Sequence, residues 1–155
     1  MRVLVIAVGT RMPAWVEAGV AEYTKRLGRE LPLTFVEIPL AKRGKNAAIE
    51  RLVEQEAKAI LTACPAGARL IALDVKGKAV STEKLATSIN DWRMDGRDVA
   101  LLVGGPDGLA AEVLSVAEES WSLSAMTLPH PLVRVILAEQ IYRAWSINQG
   151  HPYHR

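Results

Sequence analysis

Three short runs carry most of the information about what this chain can fold into: VLVIAV at 3–8, RLIALD at 69–74 and VALLV at 99–103. A strand covered on one side only alternates apolar and polar residues. A strand covered on both sides reads as a near-continuous Val, Ile and Leu run, which is what these segments do. Helical patterns lie between them. Residues 13–27 begin at Pro13 and carry Trp15, Val16, Ala18, Gly19, Val20, Tyr23 and Leu27. Residues 47–62 repeat Ile49, Leu52, Val53, Ala57, Ile60 and Leu61 at spacings of three and four, with Asn46 as the expected cap. Ser81 or Thr82 opens a helix through Met94 that Asp95-Gly96 ends, and further helices are expected at 109–118 and 131–148. A second strand is expected at 33–38 and a fifth at 121–123, with 75–80 as a turn around Gly77. Strands alternating with helices predict an α/β fold, a mainly parallel sheet with helices on both faces, and 155 residues suit one domain with one core.

Half of the residues are hydrophobic, but no apolar run reaches the ~18 residues of a membrane span. The first ten residues have neither the length of a secretion signal nor its cleavage site, so a cytoplasmic protein without membrane association is expected. Cys64 is alone, which rules out an intrachain disulfide or a cysteine zinc site. The histidines are not spaced as ligands beside acids, and no metal is expected. A net charge of +2 allows a nucleic-acid partner without requiring one.

In parallel sheets ligands bind beyond the carboxyl ends of the strands. Those ends are Leu73-Asp74, the turn Gly104-Gly105-Pro106-Asp107-Gly108, and the segment Leu123 to Leu128. The glycine turn is neither a dinucleotide nor a triphosphate fingerprint, but it lets a ligand approach backbone N–H groups at a helix start. The 121–131 segment mixes apolar and hydroxyl residues between two prolines, and can take a flat heterocycle by main-chain hydrogen bonds. His130 sits at the start of the last helix, where the dipole favours a neutral ring in a capping role. Lys42, Arg43 and Lys45 form a basic loop whose relevance depends on whether it shares a face with the glycine turn. The last helix is apolar almost all round, and Glu139 and Arg143 are four apart and expected to pair. All three histidines lie at or after position 130, and the sequence closes on His151-Pro-Tyr-His-Arg155, which reads as a docked segment over a site.

Taken together, GGPDG, WSLSAMTLPHPLVRVILAEQIYRAWSI, HPYHR, AVGTRMPAWVEAGVAEYTKR and AKRGKN resemble the SPOUT superfamily of RNA methyltransferases, end to end. Within it they resemble the branch that methylates N3 of a pseudouridine in helix 69 of 23S ribosomal RNA. The resemblance implies a C-terminal trefoil knot in place of an ordinary doubly wound sheet, and a homodimer formed through the last helix. It implies S-adenosylmethionine bound by Leu73, Gly104, Gly105, Leu123, Ser124, Ala125, Met126, Thr127 and Leu128, the segments that the strand-end rule also selects. The RNA substrate, within the assembled ribosome, is expected to meet Lys42, Arg43 and Lys45 and the tail. Over the methyl group the expected catalytic set is His154 as base or positioning group, Arg155 or Arg134 on phosphate or on the imidate oxygen, and Tyr153 stacked on base or ribose, with Tyr142 as an alternative. One departure from the best-known sequences of that branch is that this one stops at Arg155, where they carry a further acidic residue. Two other readings stay open: a non-enzymatic dimeric RNA-binding factor, and a SPOUT enzyme acting on a different RNA.

Overall fold

The computed structural model describes all residues from Met1 to Arg155. Five parallel strands form one sheet: β1 (Val3–Val8), β2 (Leu33–Ile38), β3 (Arg69–Ala79), β4 (Val99–Val103) and β5 (Glu119–Ser122), in the order β2-β1-β4-β3-β5. Helices α1 (Ala14–Leu27), α2 (Ile49–Ala63), α3 (Thr82–Asp95), α4 (Ala111–Val116) and α5 (His130–Asn148) make the crossovers and the C-terminal segment.

Every residue of β1 and β4 is buried, and the period of two divides them between two cores. Val3, Val5, Ala7, Leu101 and Val103 pack with Leu27, Ile89, Trp92, Leu137 and Ile141 from α1, α3 and α5. Leu4, Ile6, Val8, Ala100 and Leu102 face Ala57, Ile60 and Val113 from α2 and α4. Each such buried Leu, Ile or Val contributes about 1.5–3 kcal/mol relative to exposure. The sheet therefore has helices on both faces, as the unbroken apolar runs predict.

The all-round apolarity of α5 is met largely within its own chain, because the helix lies between α1 and α3 on the sheet. The approach to α1 is close: a side chain at Gly19 would meet Val135 Cγ1 at 3.1 Å.

Three local expectations change. β3 is one long strand through Ala79, and the expected 75–80 turn is instead a break in its pairing with β5. The cap of α2 is Ala48 and not Asn46, with no side-chain hydrogen bond. Helix α4 starts at Ala111, beyond the glycine turn, so the turn itself offers no helix N-terminus. Ser81 does cap α3, accepting from the Lys84 N–H at 3.0 Å, and Gly96 ends it in the left-handed region at φ 81°.

Candidate active site

The chain steps from β3 to β4 in one direction and then crosses back over β3 to reach β5. At the carboxyl ends of these three strands lies a cavity of about 380 Å³, within the roughly 300–1,000 Å³ range of small-molecule sites. Leu73, Gly104, Gly105, Leu123, Ser124, Met126, Thr127 and Leu128 all line it, whereas Ala125 does not. Asp74, Val103, Trp121, His130 and Val133 are among the other residues that line it, and no Lys or Arg side chain is. A phosphate-rich ligand therefore has no counter-charge here, while an uncharged or cationic nucleoside with apolar faces does fit.

The glycine turn is shaped by its own backbone. A Cβ on Gly104 would lie 2.6 Å from the carbonyl carbon of Gly108, and Gly108 itself has φ 77°. The Gly108 N–H donates to the Gly105 carbonyl at 3.0 Å. In the neighbouring segment the Met126 N–H donates to Ser124 Oγ at 2.9 Å, which fixes the 123–128 loop through a short-range turn.

His130 forms the first residue of α5 and lines the cavity. Burial, and after it the charge of Arg134, push its ring below its ordinary 6.5, so the neutral form is favoured. The direction matches the dipole argument, but the dominant cause is desolvation. Its Nδ1 is buried without a partner.

Arg134 lies one turn further on, and its guanidinium is committed inside the fold: Nη1 donates to Glu37 at 2.7 Å and Nη2 to the Gly9 carbonyl at 2.8 Å. At 3% exposure it is a strut between α5 and the ends of β1 and β2. It lines a separate cavity of about 430 Å³ beside α1 and β2, away from the three strand ends. Tyr142, 6% exposed, is likewise a core residue. These positions do not suit the solvent-facing catalytic roles expected of Arg134 and Tyr142.

The tail is docked, but at the other end of α5. The His151 N–H donates to the Ser146 carbonyl at 2.9 Å, and Pro152–His154 form a single 3-10 turn. The Tyr153 ring meets Tyr142 edge-on at 4.6 Å, the Arg143 guanidinium lies over the ring at 4.8 Å, and the hydroxyl donates to Glu139 at 3.2 Å. Burial, with the neighbouring Tyr23 and Glu139, raises the Tyr153 phenol to about 12, so it acts as a donor. Glu139 also accepts from Arg143 at 3.0 Å, the expected i,i+4 pair. His154 Nδ1 lies 2.7 Å from the His151 carbonyl. A carbonyl only accepts, so Nδ1 carries a proton, and in the neutral ring the Nε2 lone pair is then left free. His154 and Arg155 are exposed.

The basic loop does share a face with the glycine turn. Arg43 Nη2 lies 2.8 Å from Asp107, and Nη1 lies 2.7 Å from Glu56, which is only 3% exposed. The Glu56 carboxylate also accepts from the Ala41 N–H at 3.0 Å. Lys42 and Lys45 are exposed. The role of Glu56 was legible in principle: it falls between Leu52 and Ile60 on the buried stripe of α2, where an acid needs a partner. No cluster of three His, Cys, Asp or Glu side chains is arranged for a metal, and no helix is long and apolar enough to cross a membrane.

A parallel sheet with helices on both faces, a cavity built from a glycine turn and a C-terminal loop, and a helix that carries a docked tail define a class. The family described as "Predicted SPOUT methyltransferase" matches residues 1–154, and the chain belongs to it. That family implies the α/β-knot fold. More particularly, the chain is 58% identical over 155 residues, all of both chains, to the ribosomal RNA large subunit methyltransferase H of Ectopseudomonas mendocina and to that of Pseudomonas putida.

Proposed function

We propose that the protein transfers a methyl group from S-adenosylmethionine to N3 of a pseudouridine in helix 69 of 23S ribosomal RNA, on assembled ribosomes and as a homodimer. The relatives are named for methylation of large-subunit ribosomal RNA, which supports the substrate class. The observation that carries the reading is the division of labour along α5. The cavity adjoins its first residue, His130, and the tail folds back from its end onto Glu139, Tyr142 and Arg143. From His130 to Tyr142, on which the Tyr153 ring packs, the axis extends roughly 18 Å at the α-helical rise. No residue of the tail lines its own chain's cavity. A second copy, packed through α5, brings its tail to the neighbouring cavity and completes the site.

S-adenosylmethionine, when bound, supplies an electrophilic methyl carbon on sulfur. Leu73, the glycine turn and the 123–128 loop hold it between apolar walls. The pseudouridine N3–H has to lose its proton as the nitrogen attacks. His154 of the tail, with Nε2 free, takes that proton, and Arg155 stabilises the oxygen on which charge develops. Tyr153 holds the tail on α5, and any stacking on the nucleotide is secondary to that anchor. Lys42 and Lys45 contact RNA phosphate, and Arg43 joins them by exchanging a carboxylate for a phosphate. The small net charge leaves much of the recognition to the folded ribosome.

Calorimetric titration of the protein with S-adenosylmethionine tests the cofactor assignment. One site per chain is expected, and absence of heat at any concentration contradicts it.

A further inference from the structure

Among the residues that line the strand-end cavity there is one carboxylate, Asp74. It is placed there by an irregularity in the sheet. Leu73 pairs with Trp121, and Lys78 pairs with Trp121 again, so residues 74–77 are extra on the β3 side. The excess bulges out of the ladder and turns Asp74 and Val75 toward the cavity. Gly77 closes the bulge: a Cβ there would lie 2.7 Å from backbone atoms of Ser120 and Trp121, and backbone cannot yield.

Asp74 is half-buried and takes part in none of the chain's ion pairs. The rest of the lining is neutral in character, with apolar walls and the hydroxyls of Ser122, Ser124 and Thr127. Hydroxyls and free main-chain groups serve the uncharged donors and acceptors of an adenosine. A cation moved out of water is different, because without an anion its desolvation is not offset. S-adenosylmethionine carries two cations and one anion, the α-carboxylate, for which the lining offers no Lys or Arg. The sulfonium has no hydrogen to donate and must leave its methyl open to the acceptor. The α-ammonium has three N–H donors that match a carboxylate, and charge-assisted bonds of this kind are the strong ones.

We propose that Asp74 is the counter-ion of the cofactor's α-ammonium group, and that the four-residue bulge in β3 exists to present it. The inference rests on the S-adenosylmethionine reading and goes one step beyond it. It fixes the orientation of the ligand, with the amino-acid arm at the β3 bulge and the adenine toward the 123–128 loop.

The test is calorimetric titration of the full chain and its Asp74→Asn and Asp74→Glu variants with S-adenosylmethionine, S-adenosylhomocysteine and 5′-methylthioadenosine, which lacks the amino-acid arm. Asp74→Asn should weaken the first two ligands by about 10- to 100-fold, the range of a hydrogen bond to a charged group. It should leave 5′-methylthioadenosine essentially unchanged, and Asp74→Glu should recover part of the loss. Unchanged affinity of Asp74→Asn for S-adenosylmethionine overturns the proposal. Equal weakening of all three ligands also overturns it and moves the carboxylate to the nucleoside. If the unaltered protein binds none of the three, the cofactor reading itself fails and the inference falls with it.

Discussion

The guanidinium of Arg43 lies 2.8 Å from the carboxylate of Asp107, 64 residues away in sequence, so the basic loop and the glycine turn of the cavity are mechanically joined. Arg43 also serves the buried Glu56, which ties the same loop down to α2. The two acids are not equivalent. Glu56 has little access to water, whereas Asp107 can be solvated if the pair opens.

Arg43→Ala is therefore expected to cost about 1–3 kcal/mol, the penalty for leaving a buried acceptor short of its partner. Asp107→Asn should cost less than about 1 kcal/mol, as for other solvent-accessible pairs. Urea unfolding of both variants measures the difference. Equal losses would show that Glu56 does not depend on Arg43.

The glycine turn should be intolerant where its neighbours are backbone. In Gly104→Ala the new methyl meets the Gly108 carbonyl carbon at 2.6 Å, so the turn must open. A loss of about 1–3 kcal/mol in stability is expected, together with weakened cofactor binding. Gly44, with nothing within 4 Å of its Cβ position, is the control, and its alanine variant should stay within about 0.5 kcal/mol of the parent. Thermal unfolding and ligand titration of the two variants side by side check this.

His130 gives the protein a pH dependence of definite sign. Its folded-state pKa lies below the ordinary 6.5, chiefly through burial and then through Arg134. Between the two values the unfolded chain binds more protons than the folded one, so stability rises with pH there and falls as pH drops below 6.5. His130→Gln, which cannot take a proton, should flatten the stability curve in that window. An identical slope in parent and variant would remove His130 as its source.

The tail and the cavity are expected to act in trans. A chain ending after Gly150 should bind S-adenosylmethionine nearly as well as the parent and transfer no methyl group. Asp74→Asn, with its weakened cavity, retains the tail. Mixed dimers of the truncated chain with such a cavity variant should hold one competent cavity facing one intact tail. Activity above that of either parent dimer, after unfolding and refolding the two chains together, is the predicted outcome. Full activity of the truncated chain alone would sink the tail assignment.

The sheet and its two covering layers were legible in the sequence because burial on both faces leaves an unbroken apolar run, as at Val3–Val8 and Val99–Val103. The three strand ends that meet at the cavity were legible for a related reason, since a parallel sheet has only one ligand-binding edge. Other features were written in tertiary distances. Gly77 looks like an ordinary turn residue in sequence, and only its 2.7 Å approach to β5 identifies a bulge. Arg134 and Arg155 are both cations near the chain end, yet Glu37 and the Gly9 carbonyl absorb the first, while the second lies exposed. The placement of the tail relative to the cavity depends on the length of α5, and no residue pattern states what a helix of that length separates.

Methyl transfer to the ribosome can be measured directly. Purified protein, S-adenosylmethionine with a labelled methyl group, and ribosomes lacking the modification should be incubated together, and the nucleosides of the 23S RNA analysed by mass spectrometry. Label is expected on N3 of a single pseudouridine in helix 69, with far less on naked ribosomal RNA. No label, label on another nucleoside, or equal label on naked RNA and ribosomes would contradict it.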